Sequence, residues 1–416
     1  MQEEKHFDAI VIGSGFGGAV MTYRLAEAGL HVCLLERGKA YAPGAFPRKP
    51  SDMQHNFWDP KANLFGLFNI WSFRGLDAVV SSGLGGGSLI YANVLLRKHP
   101  ETFVRGNPLD PDAEDWPIDY ADLVPHYRAV EAVLKPRRYP FGKAPYDRTA
   151  RTKALYETQP DYPWQAAPLA VVFAGDNGVK LTFNEPLPPD PHNVHGEKTQ
   201  RFACSLCGEC DLGCNHGSKN SLDHTFLSMA KRHQKTTIRT LCEVQEFAPH
   251  PRGYRVTYTE HSPGCTPTTH TISAKQLVLA AGTLGSNYLL LKNRAAFPKL
   301  SRRVGHRFST NGDMIMFMTM PDAAAQSVSG IEAFQGPVTT STARVPPDPD
   351  GGWQHETHLQ DAGAPNFAYW MLFVTDMLRA GWIERWQFLR LGWVPIDCGY
   401  WPAGGNPPLA NEASLG

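Results

Sequence analysis

The chain has 416 residues, and its 40 lysines and arginines are matched by 40 aspartates and glutamates. With no net field and no basic stretch laced with aromatics, nucleic acid is excluded as an expected partner. No window approaches the run of about 18 uncharged apolar residues that spans a bilayer, and the polar start MQEEKHFD leads straight into an apolar strand without room for a signal peptide, so a cytoplasmic enzyme of two interleaved domains is expected.

Residues 8–38, DAIVIGSGFGGAVMTYRLAEAGLHVCLLERG, form the first unit. Ala9 to Ile12 reads as a buried parallel strand, and Gly13 lets the chain turn sharply at its end. Gly15 removes a side chain where backbone must approach a pyrophosphate, and Gly18 allows the following helix to pack closely. The unpaired N–H groups and positive dipole end of that helix favour a pyrophosphate without any lysine. Gly29 ends the helix, His31 to Leu35 supplies a second strand, and Glu36 follows. An acid about 20 residues past the glycines suits ribose hydroxyls and repels a 2'-phosphate. The unit therefore predicts a flavin or nicotinamide protein.

A second glycine cluster lies in SSGLGGGSLIYANVLLR, Ser81 to Arg97. Gly85, Gly86 and Gly87 favour neither helix nor strand, which points to backbone approaching something flat or charged. Further on, CSLCGECDLGC places Cys204, Cys207, Cys210 and Cys214 at the spacing CxxCxxCxxxC. That run matches bacterial ferredoxins except that Asn215 replaces the usual proline, so an iron–sulfur cluster, a structural zinc, and free or disulfide-bonded thiols all stand open. Residues 276–291, QLVLAAGTLGSNYLLL, give another strand, a small-residue turn and a helix, as where a strand returns beneath the first nucleotide site. Near the end, Trp382, Trp386, Leu389 and Trp393 share one face of a helix that suits core or dimer contact or, alternatively, a peripheral membrane interface.

Taken together these segments resemble the glucose-methanol-choline (GMC) oxidoreductase family, in its cholesterol-oxidase-like branch. The resemblance covers residues 7–320 and rests on IGSGFGGAV with LLERG, on GLGGGSLIYANVL, on WPIDYADLVPHYRAVEAVL (116–134), on KNSLDHTFL (219–227), on TTIRTLCEVQEF (236–247), and on LVLAAGTLGS followed by STNGD (309–313). It implies an α/β fold, an FAD-binding Rossmann-like parallel sheet with helices, joined to an antiparallel-sheet substrate domain that is incomplete here. It also implies FAD as the cofactor, with Gly13, Ser14, Gly15 and Gly18 at the pyrophosphate and Glu36 at the ribose. Gly86, Gly87, Ser88, Tyr91, Asn93 and Val94 then lie along the flavin, Val244 meets adenine, and Ala281 with Gly282 form the second turn at the dinucleotide. The expected division is residues 1–105 and 215–318 for FAD, 106–214 for a helical connection with the cysteine loop, and 319–416 for a truncated substrate domain.

The implied reaction is oxidation of an alcohol, a sterol or other bulky lipophilic one, by hydride transfer to flavin N5, with electrons leaving to oxygen or to an acceptor protein. The family's late catalytic histidine has no counterpart, because no histidine follows His358. Loose alignment puts Gln360, with Asp361 beside it, where cholesterol oxidases carry a glutamate; glutamine cannot serve as a base, and His355 and His358 are the nearby substitutes. No catalytic residue is assigned. The alternative is a flavin-binding remnant, or a subunit whose catalytic end lies elsewhere.

Overall fold

In a computed structural model the described residues are 5–100, 103, 117–158, 163–175, 183–306, 308–310, 312–315, 334–345 and 357–365. The elements run β1 (His6–Ile12), α1 (Phe16–Glu27), β2 (Val32–Leu35), β3 (Trp58–Asp59), β4 (Leu64–Phe65), β5 (Phe68–Phe73), β6 (Leu76–Ser81), α2 (Tyr120–Leu134), β7 (Arg137–Arg138), α3 (Ala150–Thr158), β8 (Gln165–Ala166) and β9 (Pro168–Leu169). They continue with α4 (Ser228–Lys231), β10 (Thr236–Arg239), β11 (Cys242–His250), β12 (Gly253–Glu260), β13 (Thr268–Leu279), α5 (Gly282–Lys292), β14 (Ser341–Val345) and β15 (Thr357–Gln360).

The main sheet has six strands in the order β10-β2-β1-β13-β12-β11. β10, β2, β1 and β13 are parallel, and β12 and β11 add an antiparallel edge. Ile10 pairs with Cys33 on one side and Leu277 on the other, so β1 is central. Its sequence is continuously apolar because both faces are covered. Successive side chains alternate between faces: Ile10 and Ile12 join Phe7, Val256 and Tyr258 in one cluster, while Val11 joins Ala19, Leu34 and Leu222 in the other. The second cluster lies under α1, which ends where Gly29 takes φ +82° as the sequence predicts.

β13 begins well before Gln276, where the sequence suggests a strand. Its polar first half, TTHTIS, pairs antiparallel with β12, and the stretch from Ser273 to Leu279 runs parallel to β1. A smaller sheet, β15-β14-β8, draws its third strand from Gln165–Ala166. It is pinned by buried Asp361. The Asp361 carboxylate accepts from Arg151 Nε at 2.8 Å and from the N–H groups of Thr340 and Ser341 at 2.8 and 2.6 Å. The Trp382–Trp393 helix proposed from the sequence lies outside the described residues, as do His355 and most of 319–416.

Candidate functional site

The turn between β1 and α1 separates three glycines by cause. Gly13 has φ +93°, and a Cβ there would sit 2.4 Å from the Ala280 carbonyl oxygen. On Gly18 it would sit 1.9 Å from the Gly13 carbonyl oxygen. Those two are required by the fold itself. A Cβ on Gly15 would meet nothing within 4 Å. Gly15 is also the N-cap of α1, whose first turn has no side-chain cap and no acidic residue. The orphan N–H groups of a helix start thus open onto space kept free of side chains, which is the requirement of an anion such as a pyrophosphate.

Ser14 and Glu36 lock this turn to the next two segments. Glu36 Oε2 accepts from the Ser14 backbone N–H at 3.0 Å and from Ser14 Oγ at 2.6 Å, and Oε1 accepts from the Gly38 N–H at 2.8 Å. Ser14 Oγ in turn accepts from the Gly85 N–H at 2.9 Å. Burial raises the Glu36 carboxyl above its ordinary value, against the pull of the bonds from Ser14 and Gly38. Of the roughly four lone-pair sites on a carboxylate, three are taken by the protein, so Glu36 has at most one left for a ribose hydroxyl. Its larger work here is structural, a part the sequence reading of Glu36 missed.

The second glycine loop leans on the first. Gly86 has φ +55°, and a Cβ there would lie 2.6 Å from the Gly15 Cα; at Gly87 it would meet nothing within 4 Å. Gly38, missed by the sequence reading, is the matching contact below, since a Cβ on it would lie 2.0 Å from the Ser82 carbonyl carbon. The signal was present in LLERG, where glycine follows the strand that carries the acid. Ser88 is spent internally, its Oγ donating to Gly85 O at 2.8 Å and accepting from the Leu222 N–H at 3.0 Å. Tyr91 packs edge-on against Phe16 with ring centroids 5.5 Å apart, and its buried hydroxyl has no partner among the described residues. Asn93 is fully buried at φ +68°, and neither its amide nitrogen nor its oxygen has a partner there. Buried polar groups are nearly always satisfied, so an orphaned amide and phenol beside two touching glycine loops fit a polar ring ligand. Val94 bridges to Leu169 and packs in the neighbouring core.

The remaining expected contacts gather at the same sheet end. The Cys242 N–H donates to Glu36 O at 2.8 Å and Leu241 N–H to Gly38 O at 3.0 Å, which sets Val244 just inside β11 from the acid. The Ala280 N–H donates to Ile12 O at 2.8 Å, so Ala281, the N-cap of α5, lies directly against Gly13. Gly282 follows at φ +76° with open space around its Cβ position.

Cys204, Cys207, Cys210 and Cys214 line one small cavity together with Lys219 and His216. No three of the four sulfurs lie within 4.8 Å of one another. Thiolates on one tetrahedral zinc would be about 3.8 Å apart, so a zinc site is not preassembled. Burial pushes the Cys207 thiol up to about 12 and raises Cys204 and Cys210 as well.

Among the described residues the one trio of ligand-type side chains within 4.8 Å is His195, Asp223 and His224, all missed by the sequence reading. His195 Nε2 lies 2.7 Å from Asp223 Oδ2, and Ser221 Oγ donates to Oδ1 at 2.5 Å. Asn193 Oδ1 accepts the His195 backbone N–H, which turns its amide nitrogen to His224 Nδ1 at 3.3 Å and leaves that ring's proton on Nε2, towards Asp223. Asp223 is held by hydrogen bonds from His195 and Ser221, with His224 Nε2 further off at 3.8 Å. Burial pushes His224 down to about 4. Burial alone would raise Asp223, but His224, His195 and Ser221 outweigh it and hold the carboxyl below its usual range.

Of the two positions expected to face the substrate, Gln360 ends β15 exposed and Asp361 is committed to Arg151, so neither stands as a free base. His358 lies exposed within β15, opposite Arg344.

Residues 193–310 match the family model for GMC oxidoreductase, and residues 11–57 match that for an NAD(P)-binding Rossmann-like domain. A cholesterol oxidase of Mycobacterium tuberculosis is 33% identical over 314 residues, covering 74% of this chain and 52% of the relative. The chain belongs to the GMC oxidoreductase family. A second cholesterol oxidase, from Acinetobacter baumannii, is 29% identical over 320 residues, 74% of this chain and 55% of that protein. Pyridoxine 4-oxidase from Mesorbium loti aligns in structure over 69% of this chain and 51% of its own, at 16% identity and a TM-score of 0.41, and membership rests on the sequence relatives instead. This GMC chain spans about half the length of the curated relatives it matches. No helix among its described residues is long and apolar enough to cross a membrane.

Proposed function

We propose that this GMC chain binds FAD and forms the flavin part of an oxidoreductase that oxidises an alcohol, a sterol or other bulky lipophilic one, with oxygen or an acceptor protein taking the electrons. The observation that carries the reading is the contact of two glycine loops at Gly15 and Gly86, beside an uncapped helix start and the orphaned polar groups of Tyr91 and Asn93. Bound there, FAD would supply the hydride acceptor. Gly13, Ser14, Gly15 and Gly18 would hold its pyrophosphate and Glu36 its ribose. Gly86, Gly87, Ser88, Tyr91, Asn93 and Val94 would border the ring system, Val244 the adenine, and Ala281 with Gly282 the second turn. Residues 1–105 and 215–318 form the FAD-binding unit in this reading. The seven described cysteines are free, which suits a reducing cytoplasm. The test is anaerobic addition of candidate alcohols to flavin-loaded protein. Bleaching of the visible flavin band supports the oxidoreductase, and bound flavin that no alcohol bleaches supports the alternative, a flavin-binding subunit or remnant. The commitment of Asp361 to Arg151 favours that alternative, because it removes a carboxylate from the substrate side.

A second reading concerns the cysteine loop as the seat of an iron–sulfur cluster. It is favoured by the convergence of all four cysteines on one cavity with a buried ammonium in its wall. Iron and sulfide in stoichiometric amounts, lost when Cys207 and Cys210 become serine, would support it. Zinc without iron would end it.

A further inference from the structure

Lys219 is 2% exposed, and no carboxylate oxygen among the described residues lies within 4.0 Å of its Nζ. Instead Nζ donates to three carbonyl oxygens, those of Leu89 at 3.1 Å, Tyr91 at 2.8 Å and Cys210 at 3.0 Å. It also lies 4.7 Å from the centroid of the Tyr91 ring. A neutral amine has two N–H donors and an ammonium has three, so three converging acceptors select the charged form. Burial lowers the Lys219 ammonium from its ordinary value, and Cys210, with Asp211, Cys214 and Asp223 beyond direct contact, pulls it back up. Burying such an ion costs several kcal/mol even after relaxation, and carbonyl dipoles offset part of that. Two of those carbonyls belong to the segment Leu89–Tyr91, which runs from the second glycine loop to the orphaned Tyr91 hydroxyl and the Asn93 amide.

We infer that Lys219 is a positioning residue of the flavin wall, fixing the Leu89–Tyr91 backbone and keeping a positive charge behind it that favours the anionic forms of a bound flavin. The inference rests on the FAD reading above. A lysine that merely staples two loops would contribute to stability alone. A charge in a low-dielectric wall also acts on any charge that develops nearby.

Sulfite reads this directly without turnover. Its sulfur lone pair forms a bond to flavin N5, and the electron pair displaced into the ring leaves the adduct anionic, so nearby positive charge tightens binding. The experiment compares the flavin-loaded full chain with Lys219→Gln and Lys219→Arg, measuring flavin content first and then the sulfite dissociation constant from loss of visible absorbance. Expected are an adduct in the parent protein, affinity at least about tenfold weaker in Lys219→Gln, equivalent to about 1.4 kcal/mol, and affinity near the parent value in Lys219→Arg. Equal sulfite affinity in the parent and in flavin-loaded Lys219→Gln would overturn the inference and leave FAD binding intact. Should Lys219→Gln not hold flavin, the parent decides: an adduct supports the charge, and none at high sulfite refutes it. A parent chain that takes up no flavin would sink the FAD reading itself, and this inference with it.

Discussion

Gly15→Ala and Gly18→Ala separate the two reasons for glycine in the first turn. At Gly18 a methyl would stand 1.9 Å from the Gly13 carbonyl oxygen, so backbone must shift, and the apo protein should lose about 1–3 kcal/mol, the usual cost of overpacking. At Gly15 the backbone already has φ −66°, which alanine adopts freely, and the methyl meets nothing within 4 Å. Alanine is a poorer N-cap than glycine by about 0.5–1 kcal/mol, and the reduced entropy of the unfolded chain returns about as much. Apo stability of Gly15→Ala should therefore stay within about 1 kcal/mol of the parent. The same methyl occupies the space before the free N–H groups of α1. Losing even one charge-assisted bond there is worth about 1.5–3 kcal/mol, so FAD should bind at least about tenfold more weakly. Urea unfolding of the apo proteins and fluorescence titration with FAD measure both quantities. Undiminished FAD affinity in Gly15→Ala would refute the pyrophosphate assignment, whatever Gly18→Ala does.

Asn93→Gly, which retains the positive φ, should leave apo stability within about 1 kcal/mol, since no protein partner is lost, yet weaken flavin binding measurably in the same titration. Asp361→Ala leaves the Arg151 guanidinium buried without its carboxylate and should cost about 3–5 kcal/mol in urea unfolding; a loss below about 1 kcal/mol would show that the small sheet is held otherwise. His224 is pushed down to about 4 in the fold against 6.5 when free, so between those values the unfolded chain binds the extra proton. Stability should thus rise with pH across that window, by up to about 1.4 kcal/mol per unit. His224→Asn should flatten the slope in urea midpoints taken across the window, and an unchanged slope would place the proton elsewhere.

The β1–α1–β2 unit was legible because each of its residues answers to a local requirement: apolar β-branching for a strand covered on both faces, and Gly13 and Gly18 where backbone meets backbone. The antiparallel half of β13 was not, since TTHTIS carries no apolar alternation and is held by pairing with β12. The site was legible as separate motifs and illegible as an assembly. Contacts such as Gly15 with Gly86 and Gly38 with Ser82 join residues far apart in the chain, and no spacing rule announces them. For the same reason Glu36 could be recognised as the acid of the motif while its bonds to Ser14 and Gly38 could not. His195 and Asp223 meet only because the segment before the cysteine loop folds back onto the one after it. Lys219 reads in sequence as an ordinary polar residue of KNSLD, and only the convergence of three carbonyls shows that its charge is buried.

Equilibrium binding of FAD to the purified, flavin-stripped full chain tests the central claim most directly. One FAD per chain should bind, with a higher melting temperature and visible absorbance that co-purifies through gel filtration. Protein that stays colourless in excess FAD, with no gain in melting temperature, would contradict the account.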